Sequence, residues 1–297
     1  MTKKYLNNID AKTVEGFGDE WTRFDQTGMS EEDTKKYFDY YFSVFPWSDL
    51  PKDAIGFDLG CGSGRWAKLA AERVGKLHCI DPSISIEVAR KSLHTLENCE
   101  FHQLSVDEMP FSDQSMDFGY SLGVLHHVPD TSAAIATCVS KIKPGGPFLL
   151  YLYYSFDNKP PWFRTLWQMS DLIRKVVSRM PYGLRYVVSQ ILALFIYWPV
   201  ARVAKIAEFL GADVNNFPLT AYRDSGFYVM RTDALDRFGT RFENRFTRLE
   251  IKTMMESAGL EDIRFSESIP FWCAVGVVSD KNLNYSSEGK DIYVETL

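Results

Sequence analysis

The chain has 297 residues, of which 45% are hydrophobic, 14% aromatic and 24% charged. This composition is typical of a globular protein and excludes general disorder, a collagen-like repeat and a coiled coil. The length exceeds the usual ~100–200 residues per domain, so one large domain or a domain with an insertion is expected. Because 33 basic and 39 acidic residues give a net charge of −6, a general nucleic-acid-binding function is disfavoured.

The cysteines and the apolar segments limit the compartment and the type of site. The five cysteines are widely spaced and form no C-x-x-C pair, so neither a disulfide framework nor a structural zinc site is expected. No His and carboxylate cluster has metal-ligand spacing, and a metal-free site is predicted. Residues 1–5 lead into polar sequence without an apolar signal core, which favours a cytoplasmic location. The apolar run 187–201 is broken by Pro199 and is shorter than the ~20 residues that span a bilayer, so it is not expected to cross one.

The first 50 residues are predicted to form an N-terminal cap. They contain an aromatic and acidic segment at residues 15–24. An acidic helix is predicted over 30–42, with Ser30 as its N-cap and Asp33 three residues on.

A core follows over residues 51–154, in which short apolar runs alternate with helical stretches. This alternation is typical of a parallel sheet with helices on both faces. The predicted strands are residues 54–59, 77–80, 101–104, 116–121 and 148–153, and helices are predicted to begin at Gly64, Ser85 and Thr131.

The alternation stops after the fifth strand, where residues 155–240 are predicted to be a helical insertion or lid. The core then resumes over 241–280. A capping box at residues 247–250 begins a helix that ends at Gly259, and two further strands, 262–266 and 271–278, are expected to pair antiparallel. These bring the predicted sheet to seven strands. Residues 281–297 are predicted to be a polar tail.

The segment from Phe57 to Arg65, which reads FDLGCGSGR, carries the strongest functional pattern. Its glycines lie where the first strand ends and a helix begins, so a ligand can approach the backbone and the free N–H groups of the helix. The spacing is G-x-G-x-G rather than the G-x-G-x-x-G of dinucleotide sites. An acid two residues before the first glycine, Asp58, favours a cationic cofactor such as S-adenosylmethionine.

A second acid, Asp81, ends the next strand, at the distance where a carboxylate can accept the ribose hydroxyls of a nucleotide cofactor. Together with the glycine loop, Asp81 and several later segments resemble the class I S-adenosylmethionine-dependent methyltransferases in order and spacing. The resemblance is strong over residues 54–153 and weak over 247–278. The later segments are MPF at 109–111, SMDF at 115–118, GVLHHVPD at 123–130 and KPGG at 143–146.

The resemblance implies a doubly wound fold and S-adenosylmethionine as the cofactor. It places the methionine part on the acid and glycines of the loop, the ribose on Asp81 and the adenine near residues 105–111, where Ser105 stands in place of the usual acid and Asp107 is an alternative. The residues expected to bind cofactor are Asp58, Gly60, Gly62, Gly64, Asp81, Pro82, Ser105, Val106, Asp107 and Leu122, with Trp21 and Arg23 from the cap.

The resemblance further implies a catalytic role near the fourth strand. His126 is predicted to be the general base, whereas His127 is expected to brace the loop through Asp130; a structural role for both is the alternative. The predicted substrate contacts are Tyr154, Tyr222 and Arg223, with Asp157 as a further candidate.

The insertion is both basic and aromatic. Residues 159–205 contain eight basic residues and one acid, Asp171, with interleaved tryptophan, tyrosine and phenylalanine. Peripheral membrane contact, a polyanionic or lipid-linked substrate, and a lid over the acceptor all fit this pattern. The favoured interpretation is a helical subdomain whose apolar face packs on the core or on a second subunit, so a homodimer remains an alternative.

The predicted activity is methyl transfer to a small-molecule acceptor, with a hydroxyl of a saccharide or natural-product intermediate preferred and nucleic acid excluded. Methyl transfer to an amine or thiol is an alternative. Two other classes are a cofactor-binding scaffold or partner-binding protein without catalysis and a nicotinamide-dependent dehydrogenase. The dehydrogenase would require the other glycine spacing.

Overall fold

The computed structural model describes residues 8–24 and 28–280. The predicted tail and the first five residues lie outside these ranges. A seven-stranded sheet has the order β3-β2-β1-β4-β5-β7-β6, and only β7 runs antiparallel to its neighbours. The strands are β1 Ile55–Leu59, β2 Lys76–Ile80, β3 Cys99–His102, β4 Phe118–Leu122, β5 Pro147–Tyr151, β6 Leu260–Phe265 and β7 Cys273–Val278.

Ten α-helices accompany this sheet in the described part of the chain. They are α1 Ala11–Arg23, α2 Glu31–Tyr41, α3 Arg65–Ala71, α4 Ser85–Ser92, α5 Thr131–Ser140, α6 Pro161–Val177, α7 Tyr182–Leu192, α8 Trp198–Phe209, α9 Phe227–Gly239 and α10 Arg248–Ser257. The predicted fold class, a doubly wound sheet with an N-terminal cap and a helical insertion after the fifth strand, is confirmed. The exact domain boundaries stay predictions.

Local sequence explains where the helices begin. The Ser30 hydroxyl accepts a hydrogen bond from the Asp33 N–H, as predicted. Thr247 and Glu250 form the predicted capping box at the start of α10. The third strand begins two residues earlier than predicted because Cys99 already pairs with Leu77 of β2.

The central strands are buried on both faces, as expected for a parallel sheet covered by helices. One apolar cluster lies under α5 and α10, and the other lies under α2, α3 and α4. Tyr120 and Leu149 belong to the second cluster, whereas Phe148 and Leu150 belong to the first, because successive side chains of a strand point to opposite faces.

Strands β1 and β4 meet through two reciprocal glycine–phenylalanine pairs. Gly56 lies opposite Phe118, and Phe57 lies opposite Gly119. A Cβ at Gly119 would stand 2.3 Å from the Phe57 ring, and one at Gly56 would stand 2.3 Å from the Phe118 ring. Each ring therefore occupies the space that a side chain on the facing glycine would need.

The two cap helices pack on different parts of the core, α1 on the glycine loop through Trp21 and α2 on one face of the sheet. In α1, Gly18 allows close contact with the start of α4, since a Cβ on Gly18 would lie 3.0 Å from Ile84, the N-cap residue of α4. In α2, Phe38 and Phe42 are buried and stack with ring centroids 4.2 Å apart. The two cap helices thus belong to the same packed body as the core.

The insertion comprises α6 to α9 and has a small core of its own, formed by residues such as Tyr197, Met230 and Phe238. Helices α7 and α8 are joined by a π-helical turn, Ala193–Tyr197, into one continuous helix, Tyr182–Phe209. By length and composition this helix is long and apolar enough to cross a membrane, so the expectation that the apolar run is too short was wrong. Pro199 does not end the helix because it occupies the first turn of α8, where its missing N–H is tolerated next to the π turn.

The glycine–phenylalanine pairs yield a stability prediction. Gly119→Ala should destabilise the fold by about 1–3 kcal/mol, because Phe57 must leave its rotamer or the strands must separate. When Phe57 is replaced by leucine, adding Gly119→Ala should cost less free energy of unfolding than it costs in the wild-type protein. Urea unfolding measures both values.

The matched control is Gly183→Ala in α7, where an added Cβ meets no atom within 4 Å. Alanine in a helix should leave stability unchanged or raise it by about 0.5–1 kcal/mol. Equal destabilisation by the two glycine substitutions would contradict the steric explanation at Gly119.

Candidate functional site

The loop after β1 holds its three glycines in the left-handed backbone region. The φ values of Gly60, Gly62 and Gly64 are 79°, 55° and 81°. A Cβ at Gly60 would lie 2.2 Å from Val124, in the loop after β4, so the two loops touch. Gly64 is the N-cap residue of α3, and the free N–H groups of that helix point to the loop.

Asp58 lies at the floor of this loop. It is 2% exposed, and its Oδ2 atom has no hydrogen-bond partner among the described residues. Burial raises the pKa of Asp58 to about 8; the nearby Tyr120 hydroxyl opposes this shift, and the charge of Asp81 adds to it. A buried carboxyl with a free oxygen fits a cationic ligand group, since the ligand's charge would stabilise the ionised form.

Asp81 is held in place by the same loop. Its Oδ2 accepts a hydrogen bond from the Gly62 N–H at 3.0 Å, and its Oδ1 accepts from the Ser83 N–H and hydroxyl at 2.9 and 2.7 Å. Each carboxylate oxygen has further lone-pair capacity, which suits the acceptor role predicted for ribose hydroxyls. Asp81 is thereby tied directly to the glycine loop.

The adenine-side residues lie after β3. The Ser105 hydroxyl donates to Glu108 Oε2 at 2.7 Å, so its oxygen keeps lone pairs that can accept from an amine. Ser105 and Val106 are buried, whereas Asp107 is exposed. Of the two polar candidates, Ser105 is the one already fixed in orientation. Pro82 is half-buried and Leu122 is buried at the carboxyl end of β4.

The two residues of the cap that were predicted to bind cofactor, Trp21 and Arg23, lie in different places. The Trp21 ring lies over the glycine loop, 3.2 Å from where a Cβ on Gly62 would stand. Arg23 instead donates to Asp19 Oδ2 at 2.8 Å and lies over the Tyr186 ring of α7. The structure therefore brings Trp21 to the predicted cofactor site and joins Arg23 to the insertion.

The two histidines lie in a 3₁₀ turn, Leu125–His127, after β4, and both are buried. The His126 Nδ1 atom accepts from the Tyr153 N–H at 3.4 Å, and its ring stacks on the Tyr153 ring with centroids 3.8 Å apart. His127 Nδ1 lies 2.7 Å from the Phe242 carbonyl oxygen and must donate to it. From these bonds we assign the proton of neutral His126 to Nε2 and that of neutral His127 to Nδ1.

Both histidines therefore keep a buried Nε2 atom without a hydrogen-bond partner among the described residues. In His126 this atom carries a proton, and in His127 it carries a lone pair. Burial lowers the pKa of both rings, and the charge of Asp236 opposes that effect at His127. Both rings are therefore neutral at pH 7.

The expected contact between His127 and Asp130 was wrong. Asp130 is the N-cap residue of α5, and its Oδ1 accepts from the Ala133 N–H at 2.9 Å. Since the Asp130 carboxylate is committed to the helix, His127 is braced by the Phe242 carbonyl from the segment after the insertion instead.

Sequence reasoning missed three buried or half-buried carboxyls, of which Asp236 lies beside His127 and the other two lie beside Asp236. Glu20 of α1 is 4% exposed with a partnerless Oε1 among the described residues, and Asp233 and Asp236 come from one face of α9. Burial, followed by the mutual repulsion of these acids, raises the pKa of Glu20 well above its usual value, and burial raises that of Asp233 to about 6. Their i, i+3 spacing in α9 was the available signal, since it places two acids on one helix face.

Asp236 connects α9 with the core. It accepts hydrogen bonds from the Tyr153 hydroxyl and, at 3.3 Å, from the Thr240 hydroxyl. Burial raises the pKa of Asp236, and the nearby His127 opposes this shift. We call the group of Glu20, His126, His127, Tyr153, Asp233 and Asp236 the acceptor cluster.

The predicted substrate contacts divide between this cluster and other parts of the protein. The pKa of Tyr222 is raised by burial and by the charge of Asp233, so its hydroxyl lies beside the cluster. Tyr154 packs against Phe271 and Trp272 on the other face of the sheet. Strand alternation explains this, because Tyr154 shares its face with Leu150 and Leu152.

The structure also places Arg223 and Asp157 elsewhere. Arg223 forms an ion pair with Glu208 at 2.7 Å within the insertion. Asp157 accepts from the Trp272 indole N–H at 3.0 Å and from the Arg248 backbone N–H at 2.9 Å. The contact predictions for Tyr154, Asp157 and Arg223 are therefore corrected, since their polar atoms or rings serve packing between elements.

Comparison with known proteins shows similarity over the middle of the chain. Residues 57–150 match the family model described as a methyltransferase domain. A protein named ubiquinone biosynthesis O-methyltransferase from Alkalilimnicola ehrlichii is 36% identical over 109 residues, which are 35% of this chain and 42% of that protein. One of the same name from Pseudomonas fluorescens is 33% identical over 125 residues, covering 39% of this chain and 50% of that protein.

The matched segment thus spans half or less of these curated relatives. Among solved structures, a protein from Bordetella parapertussis superimposes with a TM-score of 0.50 at 13% identity, covering 88% of this chain and 79% of that chain. Such low identity shows a shared fold alone.

The buried Asp58 yields a pH prediction. A cationic ligand group should displace the proton that Asp58 carries below a pKa of about 8, so binding of S-adenosylmethionine should tighten as pH rises from 6 to 7.5, by at most about tenfold per pH unit. Calorimetric titration across this range measures the slope. In Asp58→Asn the affinity should be weaker and nearly independent of pH; an unchanged slope in that variant would remove Asp58 from the site.

Proposed function

We propose, on the premise that residues 57–150 are a class I S-adenosylmethionine-dependent methyltransferase domain, that this chain transfers a methyl group to a hydroxyl of an amphiphilic small molecule. The observation that supports a hydroxyl acceptor is that two adjacent imidazole rings, with centroids 3.9 Å apart, each keep a buried Nε2 atom without a partner among the described residues, one with a proton and one with a lone pair. A hydroxyl is both donor and acceptor and can match both atoms. The name of the curated relatives, which are O-methyltransferases, supports the same choice.

The residues of the glycine loop fit the cofactor. The free Oδ2 atom of Asp58 would face its cationic part, Asp81 would accept from the ribose, Ser105 would accept from the adenine amine, and Trp21 would cover the loop. When bound, S-adenosylmethionine supplies an electrophilic methyl group on a sulfonium sulfur. These assignments rest on residues that line one edge of the sheet.

His127, rather than the predicted His126, is the general base in this proposal. The hydrogen bond from His127 Nδ1 to the Phe242 carbonyl leaves the Nε2 lone pair free to take the hydroxyl proton as the C–O bond forms. Asp236 then stabilises the resulting imidazolium, as its effect on the pKa of His127 indicates. His126 cannot serve in the same tautomer because its Nε2 atom is protonated, and it instead donates to the acceptor oxygen and orients it.

The histidine assignment yields a kinetic prediction. His127→Ala should lower kcat by about 10²-fold or more with little change in cofactor affinity, because it removes the base. His126→Ala should mainly raise KM for the acceptor. The assay follows radiolabelled methyl transfer from S-adenosylmethionine into a membrane lipid extract and, separately, into a water-soluble extract.

His94→Ala is the matched control, since His94 lies on the surface after α4 and, within the described part of the chain, bonds to the Lys91 carbonyl in that turn. It should behave as wild type. A larger loss of kcat in His126→Ala than in His127→Ala would reverse the two roles. If the label appears on amines rather than on ethers, the acceptor atom is nitrogen and not oxygen. The carboxyls of the acceptor cluster could also bind an amine. No label in either extract would favour a cofactor-binding scaffold.

The acceptor is amphiphilic in this proposal because the insertion exposes a broad apolar surface. We call this surface the insertion face; it lies on α6 and on the helix Tyr182–Phe209. Only 28% of the most apolar 18-residue stretch of that helix is buried. The exposed large side chains include Trp162, Leu172, Phe195, Trp198, Ile206 and Phe209. The favoured interpretation, in which the apolar residues pack on the core, therefore holds only for the opposite side of these helices.

A membrane surface is the occupant that fits the insertion face best. Exposed Arg164, Lys175, Arg179 and Lys205 accompany the apolar residues, as in helices that lie in the interface of an anionic bilayer. The net charge overstates this attraction, because Arg174 and Lys175 pair with Asp171 and Lys205 pairs with Asp224. We infer peripheral contact through residues 159–205, at the cytoplasmic side of a membrane, that gives the acceptor cluster access to lipid-linked molecules.

Membrane contact can be tested with vesicles. The protein should sediment with vesicles that contain anionic lipid, and salt should release part of it. Phe209→Ser and Ile206→Ser, at side chains that are 90% and 59% exposed, should weaken this binding without loss of stability. The double variant should bind least.

Leu249→Ser in α10 is the control, since this side chain is 71% exposed but lies outside the insertion. It should bind vesicles as wild type does. A stable dimer in sedimentation analysis together with no vesicle binding would assign the insertion face to a second copy of the chain and overturn the membrane proposal.

A further inference from the structure

A cluster of metal-binding side chains lies on the outer strand pair of the sheet, apart from the acceptor cluster. Strands β2 and β3 pair in parallel with His78 opposite Glu100 and Ile80 opposite His102. Glu100 and His102 are two residues apart and so share a face of β3, and the cross-strand pairing brings His78 to that same face. Sheet register, not sequence spacing, creates this group.

The three side chains converge on a small space. His78 Nδ1 lies 3.0 Å from His102 Nε2 and 3.2 Å from Glu100 Oε2, and His102 Nε2 lies 4.0 Å from the same oxygen. These three separations define a triangle whose corners all lie about 2.0 Å from one common point, which matches the 2.0–2.2 Å bonds that zinc makes to imidazole nitrogen and carboxylate oxygen. An ion at that point would lie in the plane of the three atoms, with His102 Nε2 and Glu100 Oε2 nearly opposite each other, so side-chain rotations are needed to reach the tetrahedral arrangement that zinc prefers.

The surroundings hold two of the ligands in place. The Lys76 ammonium binds the other carboxylate oxygen, Glu100 Oε1, at 2.6 Å, which leaves Oε2 facing the imidazoles. The Phe111 ring packs against both histidine rings, with centroids 4.7 Å from His78 and 5.7 Å from His102. Such outer contacts orient the ligands of metal sites. The positive charge of Lys76 opposes a cation, so the site should be of moderate affinity.

The bland alternative is a hydrogen bond between two neutral imidazoles with a nearby ion pair. That arrangement explains the 3.0 Å separation of the two nitrogens. It does not explain why a Glu100 carboxylate oxygen lies near both of them. The His78 ring is 9% exposed, the His102 ring 22% and the Glu100 side chain 48%, so an ion can enter from the Glu100 side. Water would complete its coordination there.

We propose that His78, Glu100 and His102 bind one divalent transition-metal ion of the zinc type. The ion joins the edge strand β3 to β2. Asp81 follows the end of β2, and the chain leads from the end of β3 to Ser105. Its effect is on the stability of this edge, and methyl transfer does not require it. The proposal is independent of the proposed function.

The test is a zinc titration of the full chain, with a chromophoric chelator as competitor and thermal unfolding as a second readout. Wild type should bind one Zn²⁺ per chain at this site and unfold at a higher temperature with Zn²⁺ than without, because an ion that binds only the folded state stabilises it. His102→Ala should weaken zinc binding at least tenfold and abolish the thermal shift.

His94→Ala is the matched control, since it removes another histidine that stands outside the cluster. It should bind zinc as wild type does. Equal zinc affinity in His102→Ala and wild type would place the ion elsewhere, for example on the cysteines, and would overturn the proposal. Absence of binding to wild type at 100-fold molar excess of Zn²⁺ would overturn it as well.

Discussion

The contact between the loops that follow β1 and β4 is the constraint on which the site depends. Gly60 and Val124 approach so closely that no side chain fits on the glycine. The first loop carries the groups that suit the cofactor, and the second leads into the turn with both histidines. This junction lies where the strand order reverses, at β1 and β4, which is where open α/β sheets bind their ligands. The packing of the Gly60 backbone on the Val124 side chain thus fixes the separation between the glycine loop and the histidine turn.

The cap and the insertion determine the electrostatics of that edge. Glu20 of α1 and Asp236 of α9 come from segments far apart in sequence, yet the two carboxyls lie close enough to repel each other, and Asp236 in turn lies beside His127. Arg245 and Arg237 flank Glu243 at 2.8 and 3.3 Å and, although burial opposes them, hold the pKa of its carboxyl below the usual value. Removal of water from this region raises the energetic effect of each charge on its neighbours.

Features that depend on local sequence patterns could be predicted, whereas features that depend on contacts between distant residues could not. The alternation of strands and helices, the glycine spacing and the acid at the end of β2 are local patterns, and they identified the sheet, Asp58 and Asp81 correctly as parts of one edge. The roles of His126 and His127 depend on which backbone groups their Nδ1 atoms meet, and Phe242 lies 115 residues away. Tyr154 was misplaced because a one-residue step along a strand changes the face, and the group around His78 was missed because strand register creates it.

The π turn at Ala193–Tyr197 has a consequence for how the insertion can vary among relatives. A π turn holds one residue more than the α-helical turn it replaces, so losing one residue there would rotate everything after it by about 100°. Ala201 and Ala204 would leave the interior, and Arg202 would lose the carbonyls of Arg223 and Ser225, which its guanidinium binds at 2.8 and 2.9 Å. The length of this short segment is therefore constrained more tightly than its residue types, and gaps in an alignment should fall before Pro181 or after Gly211 rather than within it.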